Sequence, residues 1–358
     1  MAESGENRLE AVVGHWLPRM TVAGLTAPEI QRLIEETRHW SNWCATWSAE
    51  GERQVSLADE ARRAGRLYTA GEGYQRAALY FHFAQFMFFE DPVQKEAAAR
   101  RKVEVFAQAA PLLQPAAQAR TIPLEPEALR GYLRLPSQTP APVVILVPGS
   151  DSTKEEFPAL EAHFLKRGLA TFSFDGPGQG EGRRLGVLTP SWQPTLKAVA
   201  NTLRAEPKLN GRIGVMGMAF GGHLVLQGAA GIPGLEALVC MNGFYDLGAF
   251  WEALPAVYRD NMRHTLGGGN SQETQRRAAG FSLRNLTPPQ CPTLVVHGAR
   301  DRIFPLEDAR RIVPFVGAKA EAVEYPEGNH VCNNIAWRYR PLIADWMAER
   351  LGGQVSPA

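Results

Sequence analysis

Short apolar runs alternate with helix-like stretches in the second part of the chain, and this alternation constrains the fold more than any other feature. The runs are LRGYLRL, APVVILVPG, ATFSFDGPG, RIGVMGM, LEALVCMNG, TLVVHGARD and AEAVEYPEG. Several are almost wholly apolar, as parallel strands covered on both faces are. Helix-like stretches such as PALEAHFLKRG and PTLKAVANTLRAEP lie between them. The pattern predicts a doubly wound, mostly parallel α/β sheet.

A helical region precedes the predicted sheet. Thr26–Glu29 supplies an N-cap residue, an early proline and a glutamate three residues later, as a capping box does, and Asp91-Pro92 opens another helix. Tyr74–Phe89 is apolar on nearly every side, so we expect a buried helix whose aromatic side chains belong to the core. We therefore predict a helical N-terminal domain at 1–120 and a sheet domain at 121–358.

One connection in the sheet domain is too long for an ordinary loop. It lies between the runs MNGF and CPTLVVHG and contains the helical pattern FWEALPAVYRDNMRHTL, followed by a GGGN break. We interpret the segment at about 245–290 as a helical cap inserted into the domain.

Composition points to a small-molecule partner and a cytoplasmic protein. Lys and Arg total 38 against 37 for Asp and Glu, which provides no electrostatic footprint for nucleic acid or an anionic membrane. No apolar run approaches the ~20 residues that span a bilayer, and the acidic start MAESGENRLE is unlike a signal peptide. The scattered cysteines form no disulfide framework, and we expect reduced thiols at Cys44, Cys240, Cys291 and Cys332.

No motif predicts a metal or another cofactor. The eight histidines show no HExxH spacing. The glycine-rich stretch DGPGQGEG lacks both the spacing of a dinucleotide fingerprint and a Gly-Lys-Ser/Thr sequence. We interpret it as a tight loop beside the active site.

The stretch Gly217–Gly222, GMAFGG, follows a predicted strand and precedes a helix-like segment. In that context the pattern G-x-S-x-G is the nucleophile elbow of the α/β-hydrolase fold, in which small residues allow a sharp turn that presents the central side chain. Every element is present except the serine, which is replaced by Ala219. An ordinary strand-to-helix turn would explain the glycines alone.

Two later residues complete a catalytic pattern. Asp301 ends the run LVVHGARD, and His330 follows the run EAVEYPEGN. Nucleophile, acid, histidine is the chain order of an α/β-hydrolase triad. For the oxyanion hole we predict the backbone N–H groups of Phe220, directly after the nucleophile position, and of Ser150, after an early strand. Taken singly, Asp301 also suits a helix cap, His330 a hydrogen-bonded loop histidine and Ser150 a plain Gly/Ser turn.

Five stretches together resemble the 2,6-dihydroxypseudooxynicotine hydrolase group, which lies near the fermentation-respiration switch proteins and the fungal hydrolases that shorten polyketide chains. They are GSDSTKEEF, FDGPGQGEG, GMAFGGH, HGARD and GNHVCNN. The resemblance implies an α/β-hydrolase that cuts a carbon–carbon bond next to a ketone, with its nucleophile at position 219, Asp301 as acid and His330 as base. It also favours a homodimer.

Alanine has no hydroxyl, so the chain as written cannot form an acyl-enzyme at position 219. Because the flanking glycines, Asp301 and His330 remain, we interpret the chain as an inactive serine-to-alanine variant of a hydrolase acting on an acyl-aromatic or polyketide-like ketone. An esterase or lactonase and a ligand-binding pseudohydrolase are the alternatives. Glu252, flanked by apolar residues in AFWEALP, is a candidate cap acid for protonating the leaving carbon; the alternative is a surface glutamate.

Overall fold

The computed structural model describes residues 5–354, and its contacts separate two compact units. The first consists of Met1–Gln118 together with Glu155–Ala159, and the second of Ala119–Lys154 and Leu160–Ala358. None of the helices in the described part of the chain is both long enough and apolar enough to cross a membrane.

The first unit is helical, with a core of stacked tryptophan rings. Trp43 stacks on Trp40 and on Trp47, with ring centroids 5.1 Å and 4.4 Å apart. Its helices are α1 (Gly5–Ala23), α2 (Ala27–Thr37), α3 (Trp43–Arg63), α4 (Leu67–Gln85) and α5 (Pro92–Ala109).

The apolar stretch Tyr74–Phe89 is buried as predicted but is not all helix. Every side chain from Ala77 to Ala84 in α4 is buried, which confirms the predicted core. The helix ends at Gln85, and Met87 adopts a φ of 52°. The predicted helix end was wrong by four residues, because the chain must turn here before α5 begins.

The second unit contains an eight-stranded sheet in the order β1-β2-β4-β3-β5-β6-β7-β8. β2 pairs antiparallel with β4, and every pair from β4 across to β8 is parallel, which confirms the predicted mostly parallel fold. The strands are β1 (Ala117–Ile122), β2 (Leu129–Arg134), β3 (Ala141–Val147), β4 (Ala170–Phe174), β5 (Leu209–Met218), β6 (Leu235–Met241), β7 (Thr293–Gly298) and β8 (Ala320–Tyr325).

Helices connect these strands, and a helical segment lies between β6 and β7. That segment contains a 3₁₀ turn at Leu247–Ala253 followed by two helices. The helices that follow α5 along the chain are α6 (Pro158–Leu165), α7 (Gln193–Arg204), α8 (Phe220–Gly228), α9 (Ala256–Leu266), α10 (Ser271–Ala278), α11 (Leu306–Arg310), α12 (Ile312–Val316) and α13 (Ala336–Leu351).

Five parallel strands place chemically useful residues at one edge of the sheet. The carboxyl ends of parallel strands meet at the same edge, where open α/β sheets bind ligands. The loops after β3, β5, β6, β7 and β8 carry Ser150, Ala219, Asn242, Asp301 and His330.

Candidate active site

Ala219 occupies a strained backbone conformation between β5 and α8. Its φ of 53° and ψ of −118° lie in a region that residues with a Cβ rarely adopt. Two hydrogen bonds hold the turn: the Ala219 N–H donates to the Met241 carbonyl at 2.8 Å, and the Gly222 N–H donates to the Ala219 carbonyl at 2.9 Å. A sharp strand-to-helix turn of this kind is the geometry of a nucleophile elbow.

The flanking glycines are required by the close approach of backbone atoms. A Cβ on Gly217 would lie 2.0 Å from the Gly221 carbonyl oxygen. A Cβ on Gly221 would lie 2.4 Å from the Val147 carbonyl oxygen at the end of β3. Any side chain at either position would therefore push the elbow away from the sheet.

Asp301 and His330 form a buried hydrogen-bonded pair. His330 Nδ1 lies 2.8 Å from Asp301 Oδ2, and the two side chains are 4% and 0% exposed. The other carboxylate oxygen, Oδ1, accepts the backbone N–H groups of Ile303 at 2.8 Å and Phe304 at 3.0 Å. The carboxylate therefore has a fixed orientation and can hold the imidazole in one tautomer.

The charge of Asp301 is stabilised by its neighbours. Burial alone raises the pKa of Asp301, but the charge of His330 and its hydrogen bond outweigh burial and lower that pKa to about 2. Asn242 Nδ2 donates a further hydrogen bond of 2.8 Å to Oδ2. Asn242 was not predicted because it belongs to no catalytic motif; in the structure its φ is 47°, which asparagine tolerates.

The predicted oxyanion residues flank the elbow. Phe220 is the first residue of α8, and the first N–H groups of a helix have no partners within it. On the other side, a Cβ built on Gly149 would lie 3.4 Å from the Ala219 Cβ, so the chain next to Ser150 passes close to position 219. The roles of Phe220 and Ser150 in an oxyanion hole remain predictions.

The Ser150 side chain is held by the helical segment between β6 and β7. Asn261 Nδ2 of α9 donates to Ser150 Oγ at 2.9 Å, and the Tyr258 hydroxyl lies 3.4 Å from the same oxygen. Thr265 Oγ1 donates to the Ser150 carbonyl at 3.3 Å. Neither Asn261 nor Thr265 was predicted, since nothing in the sequence indicates which face of the helix contacts this loop.

The stretches STKEE and DGPGQGE meet in a buried ion pair. Lys154 Nζ lies 2.9 Å from Asp175 Oδ2 and 3.0 Å from Glu181 Oε2, and the Lys154 and Asp175 side chains are each 1% exposed. The Lys154 N–H also donates to Asp175 Oδ1 at 2.8 Å. The resemblance identified these motifs, and the structure shows that they fix the two loops to each other.

Two aromatic rings pack near His330. The Phe304 ring packs edge-on at a centroid distance of 5.3 Å, and the Tyr258 ring lies 6.4 Å away. These rings place apolar surface beside the imidazole, where electrostatic interactions are stronger than in water.

Glu252 does not lie in the apolar environment predicted for a cap acid. Its side chain is exposed and accepts a hydrogen bond of 2.9 Å from Gln275 Nε2 of α10. Nearby Phe250, Trp251 and Leu254 are buried while Glu252 faces outward, because neighbouring residues of a helical turn point in different directions. The predicted apolar environment of Glu252 was therefore wrong.

Among residues 5–354 no three His, Cys, Asp or Glu side chains form a group that could hold a metal ion.

Comparison with known proteins places these features in a family. Residues 144–337 match the alpha/beta hydrolase family. The 2,6-dihydropseudooxynicotine hydrolase of Paenarthrobacter nicotinovorans is 33% identical over 326 residues, which are 89% of this chain and 86% of that protein. The crystal structure of 2,6-dihydroxy-pseudo-oxynicotine hydrolase matches with a TM-score of 0.88 and 29% identity over 96% of this chain and 98% of that one.

Fungal proteins match over a shorter region. Hydrolyase poxO of Penicillium oxalicum is 30% identical over 226 residues, which are 58% of this chain and 53% of that protein. Alpha/beta hydrolase xenA of Xenoacremonium sinensis is 33% identical over 232 residues, which are 59% of this chain and 52% of that protein. The sequence matches, the sheet order and the strained elbow all lead to one conclusion: this chain belongs to the alpha/beta hydrolase family and is related to 2,6-dihydroxypseudooxynicotine hydrolase.

Proposed function

We propose that this chain is the alanine form of a serine hydrolase that cleaves a carbon–carbon bond next to a ketone in an acyl-aromatic or polyketide-like substrate. The buried Asp301–His330 pair, at the same sheet edge as the strained elbow of Ala219, is the observation that carries the proposal. The resemblance to the 2,6-dihydroxypseudooxynicotine hydrolase group and to fungal hydrolases that shorten polyketide chains supplies the substrate class, because a triad by itself indicates only acyl transfer.

The reaction uses the triad in two stages. In the serine form, His330 accepts the hydroxyl proton as the oxygen at position 219 attacks the ketone carbonyl, and the N–H groups of Phe220 and Ser150 bind the resulting oxyanion. Collapse breaks the carbon–carbon bond, whose electron pair goes to the leaving carbon, and that carbon takes the proton from His330. Water, deprotonated by His330, then releases the acyl group as a carboxylic acid.

The surroundings of His330 favour a carbon leaving group. A carbanion is a far poorer leaving group than an alkoxide, so the substrate must delocalise the negative charge of the leaving carbon. The site must also exclude water while that charge develops. The low exposure of His330, at 4%, and the rings of Phe304 and Tyr258 support such a site. An esterase or lactonase is the competing activity, since a simple ester can be cleaved in an open cleft.

The Ala219→Ser variant tests this function. We expect it to cleave an acyl-phenol or a β-diketone at least as fast as p-nitrophenyl acetate, whereas the Ala219 chain should be slower by up to ~10⁶ in kcat. Hydrolysis of several unrelated esters without ketone cleavage would establish the esterase. Absence of turnover and of labelling by a fluorophosphonate would establish a ligand-binding pseudohydrolase.

We also propose that the protein is a cytoplasmic homodimer acting on a small ketone or ester. The cysteines Cys44, Cys240, Cys291 and Cys332 are all buried and form no disulfide, which supports a reducing compartment. The dimer is suggested only by the resemblance to the related hydrolases. Light scattering at micromolar concentration tests it, and a monomer mass would contradict it.

A further inference from the structure

Gln179 makes an unusually complete set of hydrogen bonds for a loop side chain. It is 0% exposed, and its Nε2 donates to the carbonyl oxygens of Pro148 at 2.6 Å and Gly149 at 3.0 Å. Its Oε1 accepts the Gly176 N–H at 3.1 Å. Both donors and the acceptor of the amide are therefore used to join two loops.

These bonds determine the direction of the peptide between Gly149 and Ser150. This peptide is trans, since the cis bonds of the described residues all precede proline. In a trans peptide the C=O and the N–H point in opposite directions. Because the Gly149 carbonyl points at Gln179, the Ser150 N–H points away from Gln179.

The same peptide lies next to the nucleophile position. A Cβ on Gly149 would approach the Ala219 Cβ to 3.4 Å. An oxyanion formed at position 219 needs a second N–H donor on this side. A peptide next to glycine can rotate by about half a turn with little steric resistance. Such a rotation would direct a carbonyl oxygen toward the position of the oxyanion.

Two glycines allow the loop that carries Gln179 to bend around Asp175. Gly178 and Gly180, on either side, have φ values of 81° and 37°. A Cβ on Gly180 would lie 2.3 Å from Asp175 Oδ2, the carboxylate oxygen that also pairs with Lys154. The glycines of DGPGQG thus allow the loop to wrap around Asp175 while Gln179 reaches the loop after β3.

We infer that Gln179 is a positioning residue: it fixes the Gly149–Ser150 peptide so that the Ser150 N–H serves as the second oxyanion donor. The inference rests on the proposed acyl transfer at position 219 but not on which bond is cleaved. Ketone and ester substrates both pass through an oxyanion, so Gln179 acts on both.

The test compares Gln179→Met with the parent in the Ala219→Ser background. Methionine retains the length of glutamine and removes both donors. We expect kcat for p-nitrophenyl acetate to fall about 10- to 100-fold, part of the effect of losing an oxyanion donor, with KM nearly unchanged. Gln193→Met, which removes an exposed glutamine bonded to the Ala230 carbonyl, is the matched control and should leave kcat unchanged.

A second readout separates positioning from general structural damage. The ketone 2,2,2-trifluoroacetophenone adds the serine hydroxyl to give a tetrahedral oxyanion, so its inhibition constant should weaken by the same factor as kcat. Gln179→Glu, which retains volume but presents a carboxylate to two carbonyl oxygens, should behave in the same way if methionine prevents folding. An unchanged kcat, or a lowered kcat with unchanged inhibition, would overturn the inference. Loss of ketone cleavage alone in the Ala219→Ser parent would instead contradict the proposed function.

Discussion

The backbone of Ala219 has the conformation of a nucleophile elbow, although its side chain is a methyl group. Strained φ and ψ values of this kind destabilise a protein by about 1–3 kcal/mol and persist where the surrounding structure enforces them. Here the enforcing contacts are the hydrogen bonds to Met241 and from Gly222, together with the close packing of Gly217 and Gly221. The strain at Ala219 is therefore a property of the elbow as a whole.

Ala219→Gly tests the strain directly. Glycine adopts positive φ without a Cβ clash, so we expect this substitution to raise the free energy of unfolding by roughly 1 kcal/mol. The control is Ala97→Gly at an exposed position in α5, which should lower that free energy by about 0.5–1 kcal/mol. Urea unfolding of both variants measures the difference. Equal destabilisation by the two glycines would mean that Ala219 is unstrained.

Asp301 should contribute a pH-dependent part of the stability. Its folded-state pKa, about 2, lies below the ordinary 3.8, so the contribution is complete above about pH 4 and is lost as pH falls from there through 2. The shift corresponds to about 2 kcal/mol. Asp301→Asn should therefore flatten the pH dependence of the unfolding free energy between about pH 4 and 2, as measured by urea unfolding. An identical slope in both proteins would show that Asp301 is not stabilised in its charged form.

At the scale of elements, the elbow requires the backbones of strands β3 and β5 and helix α8 to lie in contact. Gly221→Ala places a Cβ 2.4 Å from the Val147 carbonyl oxygen, and strand backbone cannot move aside. We expect a loss of about 3 kcal/mol or more in unfolding free energy. Gly14→Ala in α1, where nothing lies within 4 Å of the added Cβ, should be neutral or stabilising by up to ~1 kcal/mol. Similar thermal midpoints for the two variants would contradict this packing.

The sequence predicts β3, β4 and β7 well because burial on both faces makes these strands apolar. It did not predict β1, AQARTI, which has alternating burial and a polar composition. It predicted Asp301 and His330 as partners because chain order and strand ends are visible in a sequence, and the structure places the two side chains 2.8 Å apart. Asn242 and Gln179 were missed because their contacts join loops distant in sequence, and Glu252 was misjudged because apolar neighbours in sequence do not determine the direction of a side chain.

At the scale of the whole molecule, the first unit includes a short segment from later in the chain. Glu155 Oε2 lies 3.1 Å from Lys102 Nζ, with the two side chains 1% and 2% exposed. Glu156 accepts two hydrogen bonds from Arg19, at 2.6 Å and 2.7 Å, and lies 3.3 Å from His82 Nε2. The helical domain predicted at 1–120 does not include Glu155 and Glu156, since buried ion pairs leave no periodic pattern in a sequence.

The buried pair of Glu155 and Lys102 should be important for stability. Removing one member leaves the charge of the other uncompensated, so we expect Glu155→Gln to lower the unfolding free energy by about 3 kcal/mol. The double variant Glu155→Gln, Lys102→Met should recover most of that loss, because it removes both charges. Glu96→Gln, from the exposed pair with Arg100, is the control and should change it by less than about 0.5 kcal/mol. Equal effects of Glu155→Gln and Glu96→Gln in urea unfolding would contradict the role of burial.

The most direct test of the proposed acyl transfer is the mass of the protein during a single turnover. Ala219→Ser, mixed with an excess of an acyl-phenol ketone and quenched within milliseconds, should carry one acyl group on the side chain introduced at position 219. One equivalent of the aromatic fragment should appear at the same time, with its new C–H bond formed. The Ala219 chain and the double variant Ala219→Ser, His330→Ala should show neither product. Release of the aromatic fragment without an acyl adduct at position 219, or an adduct formed only from esters, would contradict carbon–carbon cleavage through this elbow.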